Sequence, residues 1–207
     1  LPYLVPMLRE QTPRMPLVIE ENFTANLLEQ LRDNELDVAI LALPIDTQGL
    51  HAWSVYDEDF VVLLPADHRW KDLAEIPAKR MSEEQLLLLG PGHCFREQVI
   101  ETCPKCVDVD AASPRPQTGS SLETIRHMVS SGIGITVMPR ASHENRPEDN
   151  AMLIAKPFSD PAPNRRIALV WRKRFPRPKA IAALRTAIVT CQMQGVAFRP
   201  LDAPAEA

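Results

Sequence analysis

The chain has 207 residues, 45% of them hydrophobic and 24% charged, which is enough to bury one large core or two smaller ones. Its net charge of -4 lacks the basic excess of a segment that grips nucleic-acid phosphates by itself, and apolar runs such as LLLL at 86–89 are far too short to cross a bilayer. Four cysteines are too few for a disulfide-stapled secreted scaffold, and LPYLVPMLREQTPRMP has no signal-peptide pattern, so a cytoplasmic setting with reduced thiols and no membrane partner is expected.

Alternation of helical and strand-like apolar periodicity predicts an α/β fold with a largely parallel sheet. Residues 1–12 read as a helix, PLVIEE at 16–21 as a strand, NLLEQLRDNE from Asn26 as an amphipathic helix and LDVAILAL as a buried strand, together a βαβ unit. WSVYDEDFVVLLP at 53–65 reads as two short strands, and EEQLLLL as a strand stopped by Gly90-Pro91-Gly92. Farther on, VDVDA at 107–111 is a predicted strand and SPRPQTGS at 113–120 a loop. Ser120 and Glu123 fit a Ser-x-x-Glu capping box for the helix SLETIRHMVSSG, which Gly132 ends before the strand IGITVMP. SHENRPEDN at 142–150 is a polar loop, IALVWR at 167–172 a strand, and residues 179–195 a last amphipathic helix, with a frayed tail from Pro200. There is no internal repeat.

The chemistry concentrates in GPGHCFREQVIETCPKC at 90–106, where three of the four cysteines fall. Gly90-Pro91-Gly92 ends the preceding strand and Pro104 forbids much helix beyond Cys103, so HCFREQVIET between them is a predicted helix of about ten residues. Cys94 then lies in its first turn, where unpaired N–H groups and the helix dipole favour an anion, and His93 and Arg96 add positive potential. A thiolate is the form that attacks a peroxide or a disulfide, so Cys94 is the candidate nucleophile. In a continuous helix the Cα atoms of Cys94 and Cys103 stand roughly 13 Å apart, whereas a disulfide needs them within about 7 Å. A bond between these two would require the helix to unwind, which couples chemistry to shape.

Other readings stand beside that switch. Cys103-Pro104-Lys105-Cys106 matches Cys-x-x-Cys, but it follows a helix rather than opening one, unlike a thioredoxin-type motif. His93, Cys94, Cys103 and Cys106 could supply four zinc ligands, although the spacing lacks a second Cys-x-x-Cys, and no metal or other cofactor is assigned. Cys191 reads as a buried thiol.

The stretch GHCFREQ with its second cysteine nine residues on, together with SSLETIRHMVSSGIGITVMP at 120–139 and RRIALVWR at 165–172, resembles the regulatory domains of the OxyR family, hydrogen-peroxide sensors among the LysR-type transcription factors. The resemblance implies a periplasmic-binding-protein-like fold of two α/β subdomains joined by crossover strands, the first from residues 1–57 and 168–207, the second from 58–167 and carrying the redox cysteines. It also implies roles. Cys94 matches the peroxidatic cysteine and Cys103 the resolving cysteine, with Thr24, His93, Arg96 and Arg165 around the peroxide pocket. Thr24 also reads as a helix N-cap, Arg166 competes with Arg165 for its register, and Cys106 is a possible secondary thiol whose other reading is an unreactive neighbour. Ser120 and Ser121 sit where the wider family binds effectors.

By the same resemblance the expected function is a peroxide-sensing regulatory domain switched stoichiometrically by a Cys94–Cys103 disulfide, not an enzyme. Its implied partners are hydrogen peroxide, further copies in a homodimer or homotetramer, RNA polymerase, and glutaredoxin or thioredoxin as reductant. Promoter DNA would be bound through an N-terminal winged helix-turn-helix, which, like the first strand of the regulatory domain, is not part of this sequence. The alternatives are a LysR-type effector domain for a small organic ligand and a thiol oxidoreductase.

Overall fold

The computed structural model describes residues 1–106, 116–144, 151–191 and 193–200. In chain order its elements are α1 (Leu4–Gln11), α2 (Thr24–Arg32), β1 (Ala39–Leu43), β2 (Leu50–Pro65), β3 (Leu86–Leu89), α3 (Cys94–Thr102), β4 (Gln117–Gly119) and α4 (Leu122–Ser130). There follow β5 (Ile135–Pro139), α5 (Arg140–Glu144), β6 (Leu153–Pro157), β7 (Asn164–Arg172), α6 (Pro178–Thr190) and β8 (Ala197–Phe198). The chain divides into two units, Leu1–Glu58 with Arg165–Ala207, and Asp59–Asn164. The resemblance placed these borders at 57/58 and 167/168; the structure sets them at 58/59 and 164/165.

In the first unit β7 lies between β1 and the first part of β2, and β8 adds a short antiparallel pair at Tyr56 and Phe198. Strand alternation explains how one strand serves two cores. Ile167 and Leu169 of β7 pack with Leu8 of α1 and Leu184 and Ile188 of α6, while Ala168 and Val170 pack with Leu28 and Leu31 of α2 and Leu41 of β1. Both faces of β7 are thereby covered, which is why IALVWR reads as a near-continuous apolar run.

In the second unit the later part of β2 pairs antiparallel with β5 and β6, and β3 lies parallel between β5 and β4. Phe60 to Leu64 and all four residues of β3 are buried. Each of the parallel strands β3 and β4 runs into a helix, α3 and α4, so two helix N-termini follow the carboxyl ends of adjacent strands. A backbone bond from Gly90 N–H to the Gly119 carbonyl (3.1 Å) ties those strand ends together.

Several expectations need correction. The sheet is mixed rather than largely parallel, since β1–β7, β2–β5, β2–β6 and β2–β8 are all antiparallel. Residues 53–65 are not two strands but part of one 16-residue strand, because β2 runs from one unit into the other. PLVIEE forms no strand: it has no ladder partner among the described residues, and Val18 is 94% exposed. Residues 117–119 are strand, not loop, because β3 supplies a parallel partner. The final helix stops at Thr190 rather than Gly195. The strand expected at 107–111 and most of the loop expected at 142–150 lie outside the described residues, as does the tail beyond Pro200.

Candidate functional site

Helix α3 is fixed by its inner face. Phe95 and Val99, one turn apart, are buried in the core of the second unit, and Phe95 meets Phe60 edge to face with ring centroids 5.1 Å apart. Burial of two such side chains contributes roughly 1.5–3 kcal/mol each. Anchoring those positions turns Cys94, Glu97 and Glu101 to solvent at i, i+3 and i+7.

Cys94 is the first residue of α3, a free and exposed thiol. Gly92 enters the helix with φ +94°, a conformation that favours glycine, and His93 occupies the N-cap position without a side-chain capping bond. Nothing from the cap side chain competes for the first-turn N–H groups, which leaves the N-terminal field open to an anion at Cys94. Arg96 is only partly available to that field: its Nη1 donates to the Leu89 carbonyl at 2.7 Å, bracing the helix on the end of β3, and its Nε is 3.9 Å from Glu97. Glu97, a negative group in the same turn, opposes Arg96.

Cys103 is the C-cap of α3, and a short 3-10 turn, Pro104–Cys106, follows. In the structure Cys103 is bonded to Cys106, with Cα atoms 5.5 Å apart, and both residues are 4% exposed. Here the structure differs from the expected pairing of Cys103 with Cys94 and from Cys106 as a bystander. The physical reason is the helix, which holds Cys94 about 13 Å of helical rise away, whereas a three-residue turn brings Cys106 within bonding range. Bonded sulfurs are not thiolates, so a zinc site drawing on both is also incompatible with this arrangement. No group of three or more metal-ligating side chains occurs among the described residues.

The other predicted site residues lie in the first unit. Thr24 opens α2 but does not cap it; Phe23 holds the cap position without a side-chain bond, and Asn22 Oδ1 accepts from the Phe23 N–H at 2.9 Å. Arg165 donates through Nε (2.8 Å) and Nη2 (2.7 Å) to one carboxylate oxygen of Glu58, which is 3% exposed. Arg166 pairs with Asp57 at 2.8 Å, and Arg199 reaches the same carboxylate at 3.0 Å. Sequence reading missed Glu58 and Asp57 as the partners of this arginine pair; the acidic YDED interrupting an apolar strand is the signal that could have found them. Tyr56, beside them, has its phenol pushed up to about 12, first by burial and then by the charge of Glu58. At α4 the cap is Ser121, whose Oγ accepts from the Thr124 N–H at 3.1 Å, rather than Ser120. Cys191 is buried, its thiol donating to the Ile188 carbonyl.

A cavity of about 790 Å³ in the first unit, lined by Met15, Leu17, Val38, Phe175, Ala180 and Leu184 among others, contains none of these residues. Among the described residues no helix is long and apolar enough to cross a membrane.

Comparison with known proteins agrees with this architecture. The family model described as LysR substrate binding domain matches residues 1–190. A probable hydrogen peroxide-inducible genes activator of Streptomyces viridosporus is 34% identical over 90% of this chain and 62% of its own length. The DNA-binding transcriptional dual regulator OxyR of Escherichia coli K12 is 33% identical over 91% of this chain and 60% of its own. The chain therefore spans about three fifths of these curated relatives. The solved reduced form of the OxyR regulatory domain from Pseudomonas aeruginosa is 44% identical, covers 92% of this chain and 90% of that one, and superposes with a TM-score of 0.82.

Proposed function

The chain belongs to the family of LysR substrate binding domains, and we propose that within it this domain senses hydrogen peroxide for a transcription regulator. One observation carries the reading: a free, exposed thiol on the first residue of a helix whose far end holds two further cysteines. The names of the relatives, peroxide-inducible activators and OxyR, support it.

The reaction starts from the form in which Cys94, Cys103 and Cys106 are all thiols. The Cys94 thiolate attacks one peroxide oxygen, the O–O bond breaks, and hydroxide leaves, giving a sulfenic acid; Cys103 displaces water from it and forms the Cys94–Cys103 disulfide. Two thiols and one peroxide yield one disulfide and two waters, so the event is stoichiometric signalling rather than turnover. Closing that bond unwinds α3, and the changed surface alters how two or four copies associate. DNA contact and recruitment of RNA polymerase fall to the longer protein, in the cytoplasm, and glutaredoxin or thioredoxin returns the thiols. His93 and Arg96 tune the Cys94 environment; Thr24 and Arg165 are candidate contributors to peroxide binding.

The test is peptide mapping of fully reduced Cys106→Ser protein after one equivalent of peroxide. A Cys94–Cys103 linkage is expected, absent in the double variant that also carries Cys94→Ser. An unmodified Cys94 would overturn the reading and favour a domain that answers to a small organic ligand.

A further inference from the structure

We propose that Cys106 is a second resolving residue, which takes over the Cys94–Cys103 disulfide and so returns Cys94 to its thiol without an external reductant. The inference rests on the peroxide reading above and adds a step to it. It begins from the bond the structure holds: Cys103 joined to Cys106 while Cys94 is free.

Two disulfides compete for the single sulfur of Cys103. The Cys94–Cys103 bond spans the length of α3 and excludes its helical form, drawing Phe95 and Val99 out of the core. The Cys103–Cys106 bond closes within the adjoining turn, with α3 complete and the Cys103 N–H still donating to the Val99 carbonyl at 3.1 Å. Refolding of the helix therefore drives exchange toward the second bond. The attacking group is on hand: three residues from Cys103 in the chain, Cys106 meets it intramolecularly in any conformation that keeps this turn.

The step balances. The Cys106 thiolate attacks Cys103 Sγ, the Cys103–Cys94 bond breaks, and Cys94 leaves as thiolate, with no net change in oxidation level. Over the sequence one peroxide is reduced to two waters and the two electrons come from Cys103 and Cys106, with Cys94 unchanged at the end. The switched shape then lasts only as long as the exchange takes, and the oxidation is stored in a disulfide whose residues are 4% exposed, shielded from bulk reductant. A domain in this stored state has lost its resolving thiol. A second peroxide leaves Cys94 as a sulfenic acid until a reductant thiol opens the Cys103–Cys106 bond.

The experiment is a quenched time course on fully reduced protein given one equivalent of hydrogen peroxide, with disulfides mapped by mass spectrometry in the wild-type chain, Cys106→Ser and Cys94→Ser. Expected in the wild type is an early Cys94–Cys103 linkage replaced by Cys103–Cys106 with Cys94 again alkylatable; in Cys106→Ser the first linkage should persist at least about tenfold longer. The relay is overturned if the Cys94–Cys103 linkage persists equally in both, or if Cys103–Cys106 forms as fast in Cys94→Ser as in the wild type. Failure of Cys94 to react in Cys106→Ser would instead remove the peroxide reading itself, which keeps the two failures apart.

Discussion

His68 shows how single positions in the second unit are tied to charge. Its Nδ1 accepts from the Trp70 N–H at 3.1 Å, while Nε2 is 3.4 Å from Glu84. Burial lowers the pKa of the imidazole below its ordinary 6.5, Glu84 working against that shift and Arg69 with it. The folded chain thus prefers neutral His68. Its contribution to stability is present above about pH 6.5 and is lost as the pH falls below that value, where the unfolded chain binds the proton more readily. Urea midpoints between pH 8 and pH 5 should fall, and His68→Asn should flatten part of that slope; an unchanged slope would show that His68 does not couple folding to protons. The residue scale is also where the site was most and least legible. Cys94 could be placed from sequence because glycine and proline punctuation and a short apolar repeat fix a helix start. The partner of Cys103 could not, since choosing between Cys94 and Cys106 depends on whether the helix between two of them is formed. Arg165 resisted for a similar reason, because its partner Glu58 is 107 positions away in the chain.

Among the elements, α3 is both the mount for the Cys94 sulfur and the obstacle to its bonding with Cys103. Weakening the helix without touching its packed face isolates the second role. Glu101 is exposed on the outer face, and glycine there costs about 0.5–1 kcal/mol of helix stability. In a Cys106→Ser background, Glu101→Gly should speed closure of the Cys94–Cys103 bond about two- to fivefold, measured by quenched mass mapping; equal rates would show that unwinding is not the barrier. The remaining elements divide by what their patterns encode. α1, α2, α4 and β3 carry local signals, an apolar stripe or a glycine stop such as Gly132 at φ +74°, and those were legible. PLVIEE, β4 and the full length of β2 were not, because whether an apolar run becomes a strand, and where it ends, depends on a neighbour in space. Gly119 illustrates the point: a Cβ there would lie 2.6 Å from Ile125 Cγ1, so the residue that looked like part of a loop is held close by the following helix.

At the scale of the whole molecule, the two α/β units with the chain crossing twice between them form the periplasmic-binding-protein-like fold. The second unit is one continuous stretch, Asp59–Asn164, and its ladders β2–β5, β2–β6, β3–β4 and β3–β5 all close within it, as does a core running from Phe60 to Phe158. The first unit is made of two separate stretches whose strands β1, β7 and β8 come from both sides of that insertion. An inserted segment with its own core, whose described ladders close within it, should fold when expressed alone. Circular dichroism and a cooperative urea transition are the expected readouts, and a featureless chain would show that its stability comes from the rest of the protein. The same segment carries Cys94, Cys103 and Cys106 but neither Thr24 nor Arg165, so its reaction with peroxide tests the roles proposed for those two residues. Oxidation of Cys94 in the isolated unit is expected, since α3, His93 and Arg96 all lie within it. The proposed role of Thr24 predicts a slower reaction in the isolated unit and the same deficit in a Thr24→Val variant of the whole chain; equal rates in all three would remove Thr24 from the proposed site.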